Sequence, residues 1–115
     1  MNDHYSSDEP TRADIDKLEG ATLLEFGSPW CGYCRAAQPS IAAAMAEHPD
    51  LRHVKIADAS GRPLGRSFRV KLWPTLIFIK DGNEVSRLVR PQGSAQIRDA
   101  LAAVGAVGEA ASRTG

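Results

Sequence analysis

The sequence predicts an α/β fold, with a central mixed β-sheet flanked by helices on both faces. Three observations carry this. Strand-like and helix-like segments alternate along the chain, which demands a βαβ crossover within one sheet. Thr75–Ile79 (TLIFI) is apolar and rich in β-branched residues without polar alternation, the pattern of a strand covered on both sides. Asp81-Gly82 follows it as a hairpin turn, so the next strand returns antiparallel. The 115 residues fit one domain, and a chain of that length buries roughly two-thirds of its unfolded surface.

Residues 1–10 (MNDHYSSDEP) are polar and acidic and are expected to form a flexible arm. Thr11-Arg12-Ala13-Asp14 has the spacing of a capping box with Asp in place of Glu, opening a short helix to Glu19 that Gly20 stops. Ala21–Phe26 (ATLLEF) is a strand, nearly all apolar. Ser28-Pro29-Trp30 breaks the chain before an alanine-rich helix from Cys31 to His48, interrupted at Pro39 and ended by Pro49-Asp50. Leu51–Ala57 is a second strand, and Gly61–Val70 a short helix or turn with Leu64 and Phe68 one turn apart. Glu84–Val89 pairs back on Thr75–Ile79. Ser94 caps a last helix whose stripe is Ile97, Leu101 and Val104. The domain thus spans 11–104, and residues 105–115 are expected to be a flexible tail rich in small residues.

Composition excludes several classes. Fourteen basic and fourteen acidic residues give zero net charge, which removes the whole-chain signature of a nucleic-acid binder. The charge is nonetheless split: residues 1–51 carry three basic and nine acidic groups, and Arg62, Arg66, Arg69 and Lys71 form the densest basic stretch. That stretch reads as a solvated face or as a rim steering acidic partners. No segment approaches the ~18 apolar residues of a membrane span. The first residues lack the apolar core of a secretory signal, so the cytoplasm is the expected compartment, with thiols kept reduced.

Both cysteines of the chain lie in Trp30-Cys31-Gly32-Tyr33-Cys34. The spacing puts them within one turn at the start of a helix, where unpaired amides and the macrodipole favour an anion on Cys31. The thiolate is the reactive form, and Cys34 lies inside the helix as a shielded partner, the layout dithiol exchange needs. A zinc site wants four ligands, and the three histidines show no paired ligand spacing. A cluster shared between chains or an inert thiol pair remain as lesser alternatives.

Taken together, these motifs resemble the thioredoxin family over residues 11–104. WCGYC is similar to the family's WCGPC. Pro39 matches the proline that kinks the active-site helix. Trp73-Pro74-Thr75 matches the segment carrying the family's cis-proline beside the cysteines, and Asp81-Gly82 the turn after the following strand. The resemblance implies a thiol–disulfide oxidoreductase of thioredoxin fold. Cys31 would be the nucleophile and Cys34 the resolving thiol. Glu25 would be the buried proton acceptor and donor, with Lys55 paired to it. A carboxylate in an apolar strand is costly to ionise, so the pKa of Glu25 is expected to be raised. A cis Pro74 would turn the backbone of Trp73 towards the cysteines, where it can hold an extended substrate by β-addition. The expected substrate surface is Trp30, Gly32, Tyr33, Trp73, Pro74 and Thr75, with the two tryptophans as an apolar collar. The implied partners are disulfide-containing proteins, with a thioredoxin reductase or glutathione as reductant. A monomer is expected, with no nucleic acid, membrane, metal or cofactor beyond the Cys31–Cys34 disulfide.

Five features depart from the family pattern. Tyr33 replaces Pro between the cysteines, which should make the disulfide more oxidising. Gly27 stands where a Trp is usual and opens space near the site. Trp73 replaces a smaller aliphatic residue. Glu25 is one methylene longer than Asp. Arg90-Pro91-Gln92 replaces a small Gly-containing patch, which counts against docking of an ordinary thioredoxin reductase. A glutathione-linked or isomerase-like exchange, and a redox-independent binding module on the same fold, are the competing functions.

Overall fold

The computed structural model describes Tyr5 and residues 9–114, with side chains through Gly105. Along the chain run α1 (Arg12–Asp16), β1 (Ala21–Gly27), α2 (Gly32–Met45), β2 (Arg52–Ala57), α3 (Pro63–Ser67), β3 (Thr75–Lys80), β4 (Asn83–Val89) and α4 (Ser94–Thr114). The sheet order is β2-β1-β3-β4. β1 and β2 are parallel, joined through α2, and β3 is antiparallel to both β1 and β4.

Side-chain alternation along the strands sorts the core into two layers. Leu23, Leu76 and Phe78 point to one face and pack with Ile41 and Met45 of α2 and Ile97, Leu101 and Val104 of α4. Leu24, Phe26, Ile56, Ile77 and Ile79 point to the other and pack with Ile15 of α1 and Leu64 and Phe68 of α3. The stripe on α4 is fully buried, each such side chain contributing about 1.5–3 kcal/mol. β1 and β3 are sealed on both faces, which is why they read as continuous apolar runs.

Local signals decide the element ends. Thr11 and Asp14 form the reciprocal capping box of α1, each side chain accepting from the other's backbone N–H. The helix ends at Asp16, short of Glu19. Asp81 (φ 49°) and Gly82 (φ 81°) both lie in the left-handed region, the geometry of a tight hairpin that keeps the strand twist. The Asp81 side chain also accepts from the Gly20 N–H at 2.8 Å, tying this turn to the entry of β1.

Both ends differ from expectation. Within the segment expected as an arm, Glu9 accepts from Arg62 Nε at 2.8 Å and from the Leu64 backbone N–H, so it caps α3 from outside that helix. Tyr5 lies against the interior of the active-site end. Residues 1–4, 6–8 and 115 lie outside the described residues. At the other end α4 continues to Thr114 rather than stopping at Val104. No helix among the described residues is long and apolar enough to cross a membrane.

Candidate active site

Cys31 is the N-cap of α2, and its Sγ accepts the Cys34 backbone N–H at 3.2 Å. A sulfur in this position takes one of the helix's orphan amides. Cys31 is half-buried and Cys34 fully buried; both are free thiols. Burial, then the hydrogen bond and charge of Cys31, push the Cys34 thiol up to about 12. One sulfur is therefore open to a partner and the other is withheld as a neutral thiol.

The Trp73–Pro74 peptide is cis. The Trp73 carbonyl oxygen faces Cys31 Sγ at 3.9 Å and accepts from Arg90 Nε at 2.8 Å. The Arg90 guanidinium lies over the Tyr33 ring, 3.9 Å from its centroid. Thr75 is buried, its hydroxyl donating to the Leu72 carbonyl at 2.6 Å. The expected tryptophan collar is not what forms. Trp30 is 89% exposed on the rim beside Gly32. Trp73 packs its ring on the α1/α3 face and donates Nε1 to Asp58 Oδ2 at 2.9 Å. Its backbone, not its indole, faces the thiol.

Glu25 is fully buried beneath the cysteines. Leu23, Glu25 and Gly27 share the face of β1 that α2 covers, so the carboxylate lies under that helix. Oε1 is 2.8 Å from His53 Nε2; Oε2 accepts from Gln38 Nε2 at 2.9 Å and from the Tyr5 hydroxyl. The expected raised pKa is overturned. Burial pushes it up and is the largest single influence, yet the hydrogen bonds from His53, Gln38 and Tyr5, with the charge of Lys55, outweigh it, and the carboxyl sits below its ordinary range. Desolvation alone was the wrong guide because three donors converge on the charged form.

Lys55 stands opposite Glu25 in the β1/β2 register. Its ammonium donates to Gln38 Oε1 at 2.6 Å and lies 4.7 Å from the Tyr5 ring centroid, so it reaches Glu25 through its field and through Gln38. His53 Nε2 is the group from β2 that touches Glu25 directly, at 2.8 Å. His53, Gln38 and Tyr5 are the residues that sequence reasoning missed. Gln38 could have been found one turn after Cys34, on the same helix face, and His53 two residues before Lys55, on the same strand face. Tyr5 carried no signal.

A reduced CXXC pair at a helix N-terminus, a Pro-linked carbonyl beside the first sulfur and a buried carboxylate beneath the second define a dithiol protein of thioredoxin fold. Comparison with known proteins agrees. The Thioredoxin family model matches residues 4–103. Thioredoxin from Chlamydia muridarum (strain MoPn / Nigg) is 44% identical over 71 residues, covering 61% of this chain and 69% of that one. A protein disulfide-isomerase from Oryctolagus cuniculus is 37% identical over 68 residues, 56% of this chain but 13% of its own. The reduced form of thioredoxin 2 from Pseudomonas aeruginosa PAO1 superposes with a TM-score of 0.83 at 46% identity, over 92% of this chain and 98% of that one. The chain belongs to the thioredoxin family, and it is a thiol–disulfide oxidoreductase. No group of three or more His, Cys, Asp or Glu side chains among the described residues is arranged to hold a metal ion.

Proposed function

We propose that this protein reduces disulfides in other proteins. Cys31 attacks a substrate disulfide and forms a mixed disulfide. Cys34 then attacks Cys31 Sγ, expelling the second substrate thiol and leaving the Cys31–Cys34 bridge. Two electrons pass from the dithiol to the substrate, and no further cofactor takes part. Glu25 takes the proton from Cys34 transiently, since its lowered pKa favours the carboxylate, and gives one back when the bridge is reduced, with Lys55 holding Gln38 and the carboxylate in place. Trp30, Gly32 and Tyr33 meet the substrate as an exposed rim. The backbone of Trp73, fixed by Pro74 and Thr75, holds an extended segment beside the thiol. The reductant is a thioredoxin reductase or glutathione, the compartment the cytoplasm, and the acting unit a monomer.

The observation that carries this reading is the asymmetry of the two sulfurs: Cys31 reachable and hydrogen-bonded to a helix amide, Cys34 wholly enclosed. Insulin reduction in dithiothreitol tests it. The wild-type protein should accelerate precipitation, Cys31→Ser should abolish turnover, and Cys34→Ser should trap mixed disulfides. A Cys34→Ser protein with full activity would mean a monothiol mechanism instead.

A further inference from the structure

The Tyr5 hydroxyl occupies a position that no motif in the chain announces. It donates to Glu25 Oε2 and accepts from Gln38 Nε2 at 3.1 Å. A phenol has one proton to give and two lone pairs, so one lone pair remains. Cys34 Sγ stands near it, across Gly27. Gly27 is what admits it: a Cβ there would stand 2.7 Å from the Tyr5 oxygen and 2.8 Å from Cys34 Sγ. Any larger residue at 27 would fill the gap through which the two groups meet.

We propose, resting on the reading of Glu25 as proton acceptor, that the Tyr5 hydroxyl is the relay by which the Cys34 proton reaches Glu25. In the resolving step the Cys34 S–H proton moves to the Tyr5 oxygen as the Tyr5 proton moves to Glu25 Oε2. Tyrosine begins and ends neutral, Cys34 becomes a thiolate and Glu25 a carboxylic acid. The thiolate forms a bond to Cys31 Sγ while the Cys31–substrate bond breaks, and the departing substrate thiolate takes a proton from water.

The surroundings suit a relay that never ionises. Burial and the charge of Glu25 push the phenol far up, so tyrosinate does not accumulate. The groups facing it are Glu25 from β1, Cys34 and Gln38 from α2, and Lys55 from β2, with His53 behind the carboxylate. Two of the influences that hold Cys34 protonated come from Cys31. Binding of Cys31 in a mixed disulfide removes its charge, while burial, the largest influence, remains.

The test is stopped-flow reaction with 5,5′-dithiobis(2-nitrobenzoate). The first thionitrobenzoate reports Cys31 attack and the second reports resolution by Cys34. In Tyr5→Phe the first phase should be unchanged. The second should slow about tenfold or more near pH 7, with its pH midpoint displaced upwards, and the Tyr5→Phe/Glu25→Gln double variant should be no slower than Glu25→Gln alone. A Tyr5→Phe protein that resolves at the wild-type rate across pH, with Glu25→Gln slow, overturns the relay and leaves the role of Glu25 standing. Wild-type resolution in Glu25→Gln overturns the role of Glu25 and the relay with it. Should Tyr5→Phe not fold, 3-fluorotyrosine can replace tyrosine in a Tyr33→Phe background, since Tyr5 and Tyr33 are the only two tyrosines. The more acidic phenol should move the midpoint of the second phase, and an unmoved midpoint overturns the relay.

Discussion

Arg90 Nε donates to the Trp73 carbonyl oxygen at 2.8 Å, and that same oxygen faces Cys31 Sγ at 3.9 Å. The guanidinium thus rests on the group that a substrate strand would use, while its plane covers the Tyr33 ring between the two cysteines. Removing it gives up a cation–π contact of about 0.5–1 kcal/mol at an exposed site and frees one acceptor. Arg90→Ala should lower KM for a protein disulfide severalfold with kcat nearly unchanged, measured by insulin reduction. A raised KM would show that Arg90 itself grips the partner.

Burial, then the hydrogen bond and charge of Cys31, push the Cys34 thiol up to about 12. Iodoacetamide at pH 8 should therefore label one thiol per chain, on Cys31, with Cys34 modified only after unfolding. Peptide mapping by mass spectrometry checks this. Comparable labelling of both thiols in the folded protein would contradict the enclosed position of Cys34.

Acid should weaken the fold through Glu25. Its folded pKa lies below the ordinary value, so the folded state favours the carboxylate. That contribution is complete above the unfolded value of about 4.3 and is lost as pH falls through the folded pKa. Urea midpoints at pH 7, 5 and 3 should fall more steeply for the wild type than for Glu25→Gln between pH 5 and 3. Parallel declines would assign the acid limb to other carboxylates.

Asp58 is nearly buried, with Oδ2 bound by the Trp73 indole and Oδ1 lacking a hydrogen-bond partner among the described residues. Trp73→Phe keeps an aromatic ring, smaller than the indole, but strips the donor, leaving a buried carboxylate without that bond. The cost should be about 1–3 kcal/mol, read from equilibrium urea unfolding. In a Trp73→Phe/Asp58→Asn background much of it should return, since an amide carries no buried charge. A Trp73→Phe protein as stable as the wild type would show that the hydrogen bond contributes nothing.

Much of the architecture was legible because its signals are local. The capping box at Thr11 and Asp14, the paired left-handed residues at Asp81 and Gly82 and the stripe at Ile97, Leu101 and Val104 each follow from neighbours a few residues away. Termini were harder. Glu9 and Tyr5 read as solvated residues of a polar arm, and nothing near them in sequence names Arg62 or Glu25 as partners.

The sequence by itself determined that two thiols meet at the start of a helix, with a carboxylate on the preceding strand and a proline ahead of the third. Spacing along one chain suffices there, because a helix turn and a strand pleat convert residue number directly into direction. Only the tertiary structure decided how Glu25 is charged, where the Trp73 indole goes, and that Tyr5 reaches Glu25 and Gln38. Those outcomes depend on which donors converge from α2, β2 and the N-terminal segment. Desolvation and hydrogen bonding oppose each other at a buried carboxylate, and their balance is set by neighbours far apart in the chain.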